Sequence, residues 1–312
     1  MKNFFLGVLI VFFANESVAC DHCNLFLNIN PNDYKNTLGI QYRTRLLAGS
    51  FAEDGTLKPK HAGHVTNEMA GKSLTELYAR YELTGNFFIN KLWSIQAILP
   101  LINNVQSVDG LAKYNVWGVG DPVIMSSYQI FNTKNTTDSI KFAHRLTAGI
   151  GVKIPFGSTS YSSPLGTPNL DLQPGSGSWD GLVILTYIAK VKSFGLFVNA
   201  NYKLNTANRE KYQYGNTFNS FVYFFYQKKL NERITIMPTI GIYTEMADFD
   251  KNKASKEAET GGENYLGDIG LTVFMKKIRL SANFQPLLAS NMRSATQIDI
   301  KNRMIFSLNY NF

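Results

Sequence analysis

The chain has 312 residues, of which 45% are hydrophobic and 13% aromatic but only 17% charged, with a formal net charge of +8. The bases are scattered without a Lys/Arg block, which argues against a nucleic-acid partner. Away from the N-terminus no run of 18 apolar residues supplies a membrane-spanning helix.

Residues 1–19 read as a secretory signal: Lys2 gives the positive start, Phe4 to Ala14 the apolar core, and Ser17-Val18-Ala19 the small-residue cleavage site. The expectation is export from a bacterial cytoplasm. Lys2 and Glu16 leave together, so the mature chain keeps its net charge. Residues 20–36 form a polar lead-in, expected in the periplasm. They hold the one sharp local motif, Cys20-Asp21-His22-Cys23. Cys20, His22 and Cys23 suit a soft metal such as copper or zinc. A disulfide, two idle thiols and lipidation of Cys20 are the competing readings. No other cofactor is expected. His61 and His64, in the first long loop, read as solvated loop residues.

From residue 37 to 312, strand-like stretches recur with alternating polarity. The first, about Leu38 to Leu47, sets Gln41, Arg43 and Arg45 against Ile40, Tyr42 and Leu46. The second, near Ser73 to Thr84, sets Glu76, Tyr78, Arg80 and Glu82 against Leu77, Tyr81 and Leu83, and Gly85-Asn86 reads as a hairpin turn. The third, near Lys91 to Leu101, carries Trp93, Ile95, Ala97 and Leu99 on its apolar face, and a long loop then runs to Trp117. The fourth follows Gly120-Asp121-Pro122. The fifth, Lys141 to Ile154, puts Lys141, Arg145, Thr147 and Lys153 on one face, with His144 on the other. The Ser-, Pro- and Gly-rich stretch Pro155 to Gly177 reads as another long loop. Six more strands follow, near 179–190, 194–205, 218–228, 233–245, 265–275 and 279–288. The eighth is aromatic on both faces.

The last strand, Ile298 to Phe312, puts Ile298, Ile300, Met304, Phe306, Leu308, Tyr310 and Phe312 on one side and mostly polar residues on the other. It is long enough to cross a bilayer as a tilted strand, which takes about 9–11 residues. The expected architecture is all-β: an antiparallel transmembrane β-barrel of about twelve strands, with long and short connections alternating and both termini periplasmic. Leu308, Tyr310 and Phe312 are the expected signal to the barrel-assembly machinery, and the outward face is expected to meet outer-membrane lipid. Charges on lipid cost about 2–4 kcal/mol for Arg or Lys at mid-depth, so the polar face is expected to line the lumen. That assigns Arg43, Arg45, Arg80, Arg145, Arg279, Arg303, Lys141, Lys153, Lys203 and Lys301 to it as bases. Glu76, Glu82, Asp180, Glu245, Asp268 and Asp299 join them as acids.

Gly118-Val119-Gly120-Asp121-Pro122, Lys153-Ile154-Pro155-Phe156-Gly157, Gln173-Pro174-Gly175-Ser176-Gly177-Ser178-Trp179-Asp180, Leu204-Asn205-Thr206-Ala207-Asn208 and Gln285-Pro286-Leu287 together resemble a family of outer-membrane transporters. The family includes channels assigned to the meta-pathway of phenol degradation. The resemblance implies an outer-membrane channel for small-molecule solutes, among them hydrophobic or aromatic compounds. Relatives with this N-terminus carry a third cysteine in Cys-x-x-Cys-Gly-Cys, where this chain has Asn24 and Leu25. The competing reading is a non-transporting structural or interaction barrel with a filled lumen, metal-linked through Cys20, His22 and Cys23. An enzyme is not expected, because no nucleophile, base and orienting group can be named together.

Overall fold

A computed structural model describes residues 34–50, 71–133, 142–164, 166–258, 260–292 and 297–312. The signal sequence, the Cys20/His22/Cys23 motif, His61, His64 and Lys141 lie outside the described residues.

The described residues are mostly strand: β1 (Thr37–Ser50), β2 (Ser73–Phe88), β3 (Trp93–Val108), β4 (Leu111–Val119), β5 (Val123–Asn132) and β6 (Phe142–Lys153). These are followed by β7 (Asp180–Val191), β8 (Phe194–Leu204), β9 (Tyr212–Gln213), β10 (Thr217–Tyr226), β11 (Lys228–Lys229) and β12 (Ile234–Ala247). Last come β13 (Lys251–Asn252), β14 (Ser255–Lys256), β15 (Gly262–Met275), β16 (Ile278–Met292) and β17 (Gln297–Asn311). Fourteen strands share one sheet; β4 and β11 are additions to it, and the other twelve close on themselves, with β1 paired to β17 and β10 to β12. Every pairing in the wall is antiparallel. An antiparallel closed barrel satisfies all its backbone groups and leaves no edge, as a bilayer requires.

Tight turns such as Lys192-Ser193 and Lys276-Lys277 lie at the rim where Thr37 pairs Asn311, hereafter the terminal rim. The long connections gather at the opposite, loop rim. Alternation along each strand is sharp. Outward residues such as Ile40, Leu83, Ile150, Phe224, Ile240 and Phe306 are exposed, while inward ones such as Gln41, Glu82, Asn219 and Arg303 are buried. A wall with Ile150 69% exposed and Arg303 at 0% inverts the usual order of a water-soluble protein and suits lipid outside. Aromatics ring the terminal rim in touching pairs: Phe87 with Phe312, Trp93 with Tyr128, and Phe194 with Tyr226. His144 faces outward there, among Phe131, Phe142 and Tyr187.

Three sequence expectations are corrected. Gly85-Asn86 is not a turn: β2 runs on to Phe88, and the reversal falls where Asn90 Oδ1 accepts from the Leu92 and Trp93 amides at 2.7 and 2.9 Å. The stretch after Leu101 up to Trp117 is not a loop but a hairpin: β3 runs on to Val108 and β4 returns as its second arm. Asp109 and Gly110 both take positive φ, 48° and 76°, which a two-residue turn between twisted strands demands. Finally, a bulge where Leu46/Leu47 of β1 meets β17 shifts the start of that strand. Ile300 therefore points inward and is fully buried, while Asp299 and Lys301 are exposed and 3.9 Å apart, outside the lumen they were assigned to.

Candidate functional site: the barrel interior

The barrel is filled from its own wall. On the side built by β10 to β17 with β1 and β2, long inward side chains meet at mid-height. Arg45 Nη1 crosses from β1 to Glu245 Oε1 on β12 at 3.0 Å. Arg303 Nη1 lies 3.8 Å from Glu245 Oε2, with its guanidinium 4.5 Å above the Tyr243 ring. The Tyr243 hydroxyl is 2.9 Å from Asn219 Oδ1 and 3.3 Å from Glu245 Oε2. Next to this group Arg43 pairs with Glu82 at 2.7 Å, and Gln41 donates to the same carboxylate at 2.8 Å. Glu76 accepts from Gln106 and Tyr78 at 2.7 and 2.9 Å, and Asp268 from Gln285 and Asn283 at 2.6 and 2.8 Å. Buried charges are costly unless paired or hydrogen-bonded. The carboxylates here accept hydrogen bonds, and Arg43 and Arg45 make close ion pairs. The three guanidinium nitrogens of Arg303 have no hydrogen-bond partner among the described residues, and that group is held by the longer approach to Glu245 and by the Tyr243 ring. Around them pack inward apolar side chains, among them Leu47, Phe221, Tyr223, Met237, Leu266 and Ile300.

The other side, β3 to β8, is stacked in layers. Uppermost is a knot of charges made by four of the sequence motifs named above. Lys153 Nζ lies 3.3 Å from Asp121 and 2.5 Å from Asp180, and also donates to the Ser176 hydroxyl. Asp121 accepts from the Phe156 and Gly157 amides at 3.0 and 2.8 Å, and from the Ser176 amide and hydroxyl at 2.8 Å each. Asp180 accepts from Ser178 Oγ at 2.9 Å and the Thr206 amide at 3.1 Å, and Asn208 donates to the Ser176 carbonyl at 3.3 Å. Gly157 and Gly175 touch backbone to backbone; a Cβ on Gly175 would sit 2.2 Å from the Gly157 carbonyl oxygen. Gln285-Pro286-Leu287 is not part of the knot; Gln285 serves Asp268 instead.

The knot fastens residues 155–177 into the barrel rather than above it. A 3-10 turn, Leu170–Leu172, puts Leu172 at 0% exposure inside the apolar cluster of the lumen, and Asn104 of β3 donates to its carbonyl at 3.1 Å. A small sheet of β9, β13 and β14 covers the same end. It is pinned by Asp250, which accepts from Tyr212 Oη at 2.5 Å and the Gly215 amide at 2.8 Å, and joined to the plug by Tyr214 Oη to the Leu170 carbonyl at 3.3 Å.

Below the knot Ile98, Met125, Leu182 and Ile184, with Val123, form an apolar septum. Below that again the interior is hollow: a cavity of about 130 Å³ opens toward the terminal rim, with Gln129, Arg145, Thr147 and Thr186 among its walls. Tyr34 reaches across this mouth. Its hydroxyl accepts from Gln129 Nε2 at 3.0 Å and its ring stands edge-on to Phe88 at 5.7 Å.

Of the expected lumen residues, Arg43, Arg45, Glu76, Glu82, Lys153, Lys203, Asp268, Arg279 and Arg303 face inward and are buried, and Arg80 and Arg145 face inward half-buried. The geometry brings Arg45, Arg303 and Glu245 together and places Lys153 apart from them, in the knot. Sequence reasoning missed Asp121, Ser176 and Leu172 as interior residues. It also missed the aromatics Phe221, Tyr223 and Phe225, although the eighth predicted strand, aromatic on both faces, already carried that signal.

No family model matches the chain, and no curated protein does. Among solved structures, the chain is similar to the COG4313 outer membrane channel from Pseudomonas putida F1, at 14% identity and a TM-score of 0.60, covering 91% of this chain and 100% of that one. It also aligns with the translocator domain of the autotransporter NalP from Neisseria meningitidis, at 9% identity and a TM-score of 0.45, covering 91% and 90%. The first likeness establishes the fold, a twelve-stranded membrane barrel; the second is too loose to add to it.

Proposed function

We propose that the protein is an outer-membrane channel for small solutes, held closed in the conformation described, with its termini and short turns toward the periplasm. The observation that carries this reading is the nature of the closure. The β3 to β8 side is stopped by a noncovalent plug, residues 155–177, and an apolar septum drawn from β3, β5 and β7, with a cavity already present beneath them. The fold shared with an outer membrane channel supports the same reading. Arg43, Arg45, Glu76, Glu82, Asp268 and Arg303 then act as interior scaffold, with Arg80, Lys203 and Arg279 beside them. Lys153 acts as the latch of the plug and Arg145 as the charge beside the solute. Leu308 and Tyr310, outward on β17, and Phe312 just after it, all exposed at the terminal rim, are the proposed contact for the assembly machinery. Residues 1–19 are the proposed signal peptide and 20–36 the periplasmic lead-in.

The second reading, a filled barrel that passes nothing, draws on the cross-lumen pair Arg45–Glu245, both side chains of which are buried. Planar-bilayer recording separates the two. The channel reading expects rare openings in the intact protein and frequent conductance steps when residues 158–172 are replaced by a short Gly-Ser linker. Silence from both proteins would establish the filled barrel.

A further inference from the structure

The small sheet of β9, β13 and β14 has two unlike faces. Tyr212 of β9 and Tyr214 just after it share one face, where they pack with Leu170 of the plug. Gln213, Lys251 and Lys256 are in register across the three strands and share the opposite face. A two-residue turn, Lys253 and Ala254 with φ of 48° and 68°, joins β13 to β14. The Lys253 amide donates to the Lys211 carbonyl at 3.0 Å, which holds the turn Arg209 to Lys211 alongside. Residues 209–211 and 251–256 thus gather the bases Arg209, Lys211, Lys251, Lys253 and Lys256 against a single acid, Glu210. All of these bases are exposed, and none is ion-paired to a carboxylate among the described residues. Lys256 rests instead over the Phe249 ring at 5.4 Å. Like charges directly opposite one another weaken a strand pair, so the stability of the sheet does not account for Lys251 facing Lys256. The outward apolar belt of the wall ends just below, at exposed Leu204 on β8 and Phe218 on β10. Arg209 follows Leu204 by five positions, a reach of at most about 18 Å. The bases therefore stand within reach of the layer where a bilayer carries its phosphates.

We propose that this basic face binds the phosphate groups of a phosphorylated glycolipid in the outer leaflet beside the barrel, with Lys211, Lys251, Lys253 and Lys256 as the principal contacts. Lysine meets phosphate as a compact point charge, and clusters of bases beside an apolar membrane belt bind anionic headgroups. A shared anion also offsets the repulsion between Lys251 and Lys256. The proposal rests on the reading that the loop rim faces out of the cell.

The test uses the full mature chain in mixed micelles with lipid A as the probe, and native mass spectrometry counts the lipid that stays on the protein. Saturable binding of lipid A is expected, with at least tenfold weaker binding of its dephosphorylated form. Replacing Lys211, Lys251, Lys253 and Lys256 together by Gln should weaken lipid A at least tenfold. The control replaces Lys228, Lys229, Lys276 and Lys277, exposed at the terminal rim, by Gln. It removes the same charge and should stay within twofold of wild type. Heat-modifiability on a gel checks that each variant is folded. Should the first variant fail to fold, Lys251→Gln with Lys256→Gln is expected to weaken lipid A at least threefold. Undiminished binding in the folded variant, an equal loss in the control, or equal binding of the dephosphorylated lipid would overturn the site. Inorganic pyrophosphate that displaces lipid A at equal concentration would overturn it too, because the face would then read a free phosphate. Orientation is tested separately: Ala254→Cys should be labelled on whole cells by an impermeant maleimide, above the level of the unsubstituted chain. Labelled cells and no lipid binding would sink the site alone. Lipid binding in micelles with no labelling on cells would sink the outward orientation and, with it, the outer-leaflet assignment.

Discussion

The two sides of the barrel interior are built from the same strand alternation and end in opposite states. From β10 round to β2 the inward positions carry Arg, Glu, Gln, Tyr and Phe, and long side chains meet across the lumen, with Arg303, Tyr243 and Glu245 fully buried. At the terminal end of β3 to β8 the inward positions carry Ser94, Ser127, Thr147, Gly149 and Thr186, and space remains. Backbone geometry is common to both sides. What differs is the reach of the inward side chains, so whether such a barrel is solid or hollow is decided residue by residue on one face of each strand.

Substitutions that test this contrast are expected to fall in a clear order. Glu245→Ala strands Arg45 and Arg303 in the dry side, and removing one partner of a buried pair costs about 3–5 kcal/mol; urea unfolding in micelles should show it as a large fall in midpoint. An unmoved midpoint would mean that water already reaches this cluster. Leu172→Ala removes the plug's apolar anchor, worth about 2–5 kcal/mol in well-packed sites. Here the loss should fall on the plug and not the wall: proteolysis within residues 158–170 should quicken while the unfolding midpoint stays near wild type. Thr147→Val, in the hollow side, is expected to stay within about 0.5 kcal/mol of wild type, as at exposed positions. A cost as large as that of Glu245→Ala would show that the cavity is not hollow. The smallest effect is electrical. With residues 158–172 replaced by the linker, Arg145→Glu should shift the reversal potential in a salt gradient toward cations, visibly at low salt and little at 0.15 M, where the Debye length is about 8 Å. No shift at any salt concentration would place Arg145 off the conducting path.

Alternation alone located the wall, because a strand bearing Arg43 and Arg45 on one side and Ile40 and Tyr42 on the other has only one stable way to sit in a bilayer. It located the inward charges for the same reason, but not their partners. Arg45 and Glu245 stand 200 positions apart, and nothing local to either encodes the other. The hairpin of β3 and β4 was legible and passed over: Asp109-Gly110 between alternating residues is a strong short-range turn signal. The bulge in β17 was not legible, since one extra residue leaves composition and polarity unchanged while it exchanges Ile300 for Lys301 at the inner face. The motifs of the knot stood out in the sequence as separate punctuation of strand ends. Only the fold shows that Asp121, Lys153, Ser176 and Asp180 are one object.

The bond from Arg45 to Glu245 also constrains the order in which the molecule comes together. Its donor lies on the first strand and its acceptor on the ninth strand of the wall, and Arg303, beside the same carboxylate, lies on the last. Neighbouring hairpins such as β15 and β16 can form early, each closing a short loop, but a contact 200 residues apart must wait for the ring to shut. Until then Arg45, Arg303 and Glu245 remain hydrated on an open sheet. Joining β1 to β17 strips their water and supplies their partners in the same step. A ring closed in a shifted register would bury these charges without their partners and would be the less stable for it.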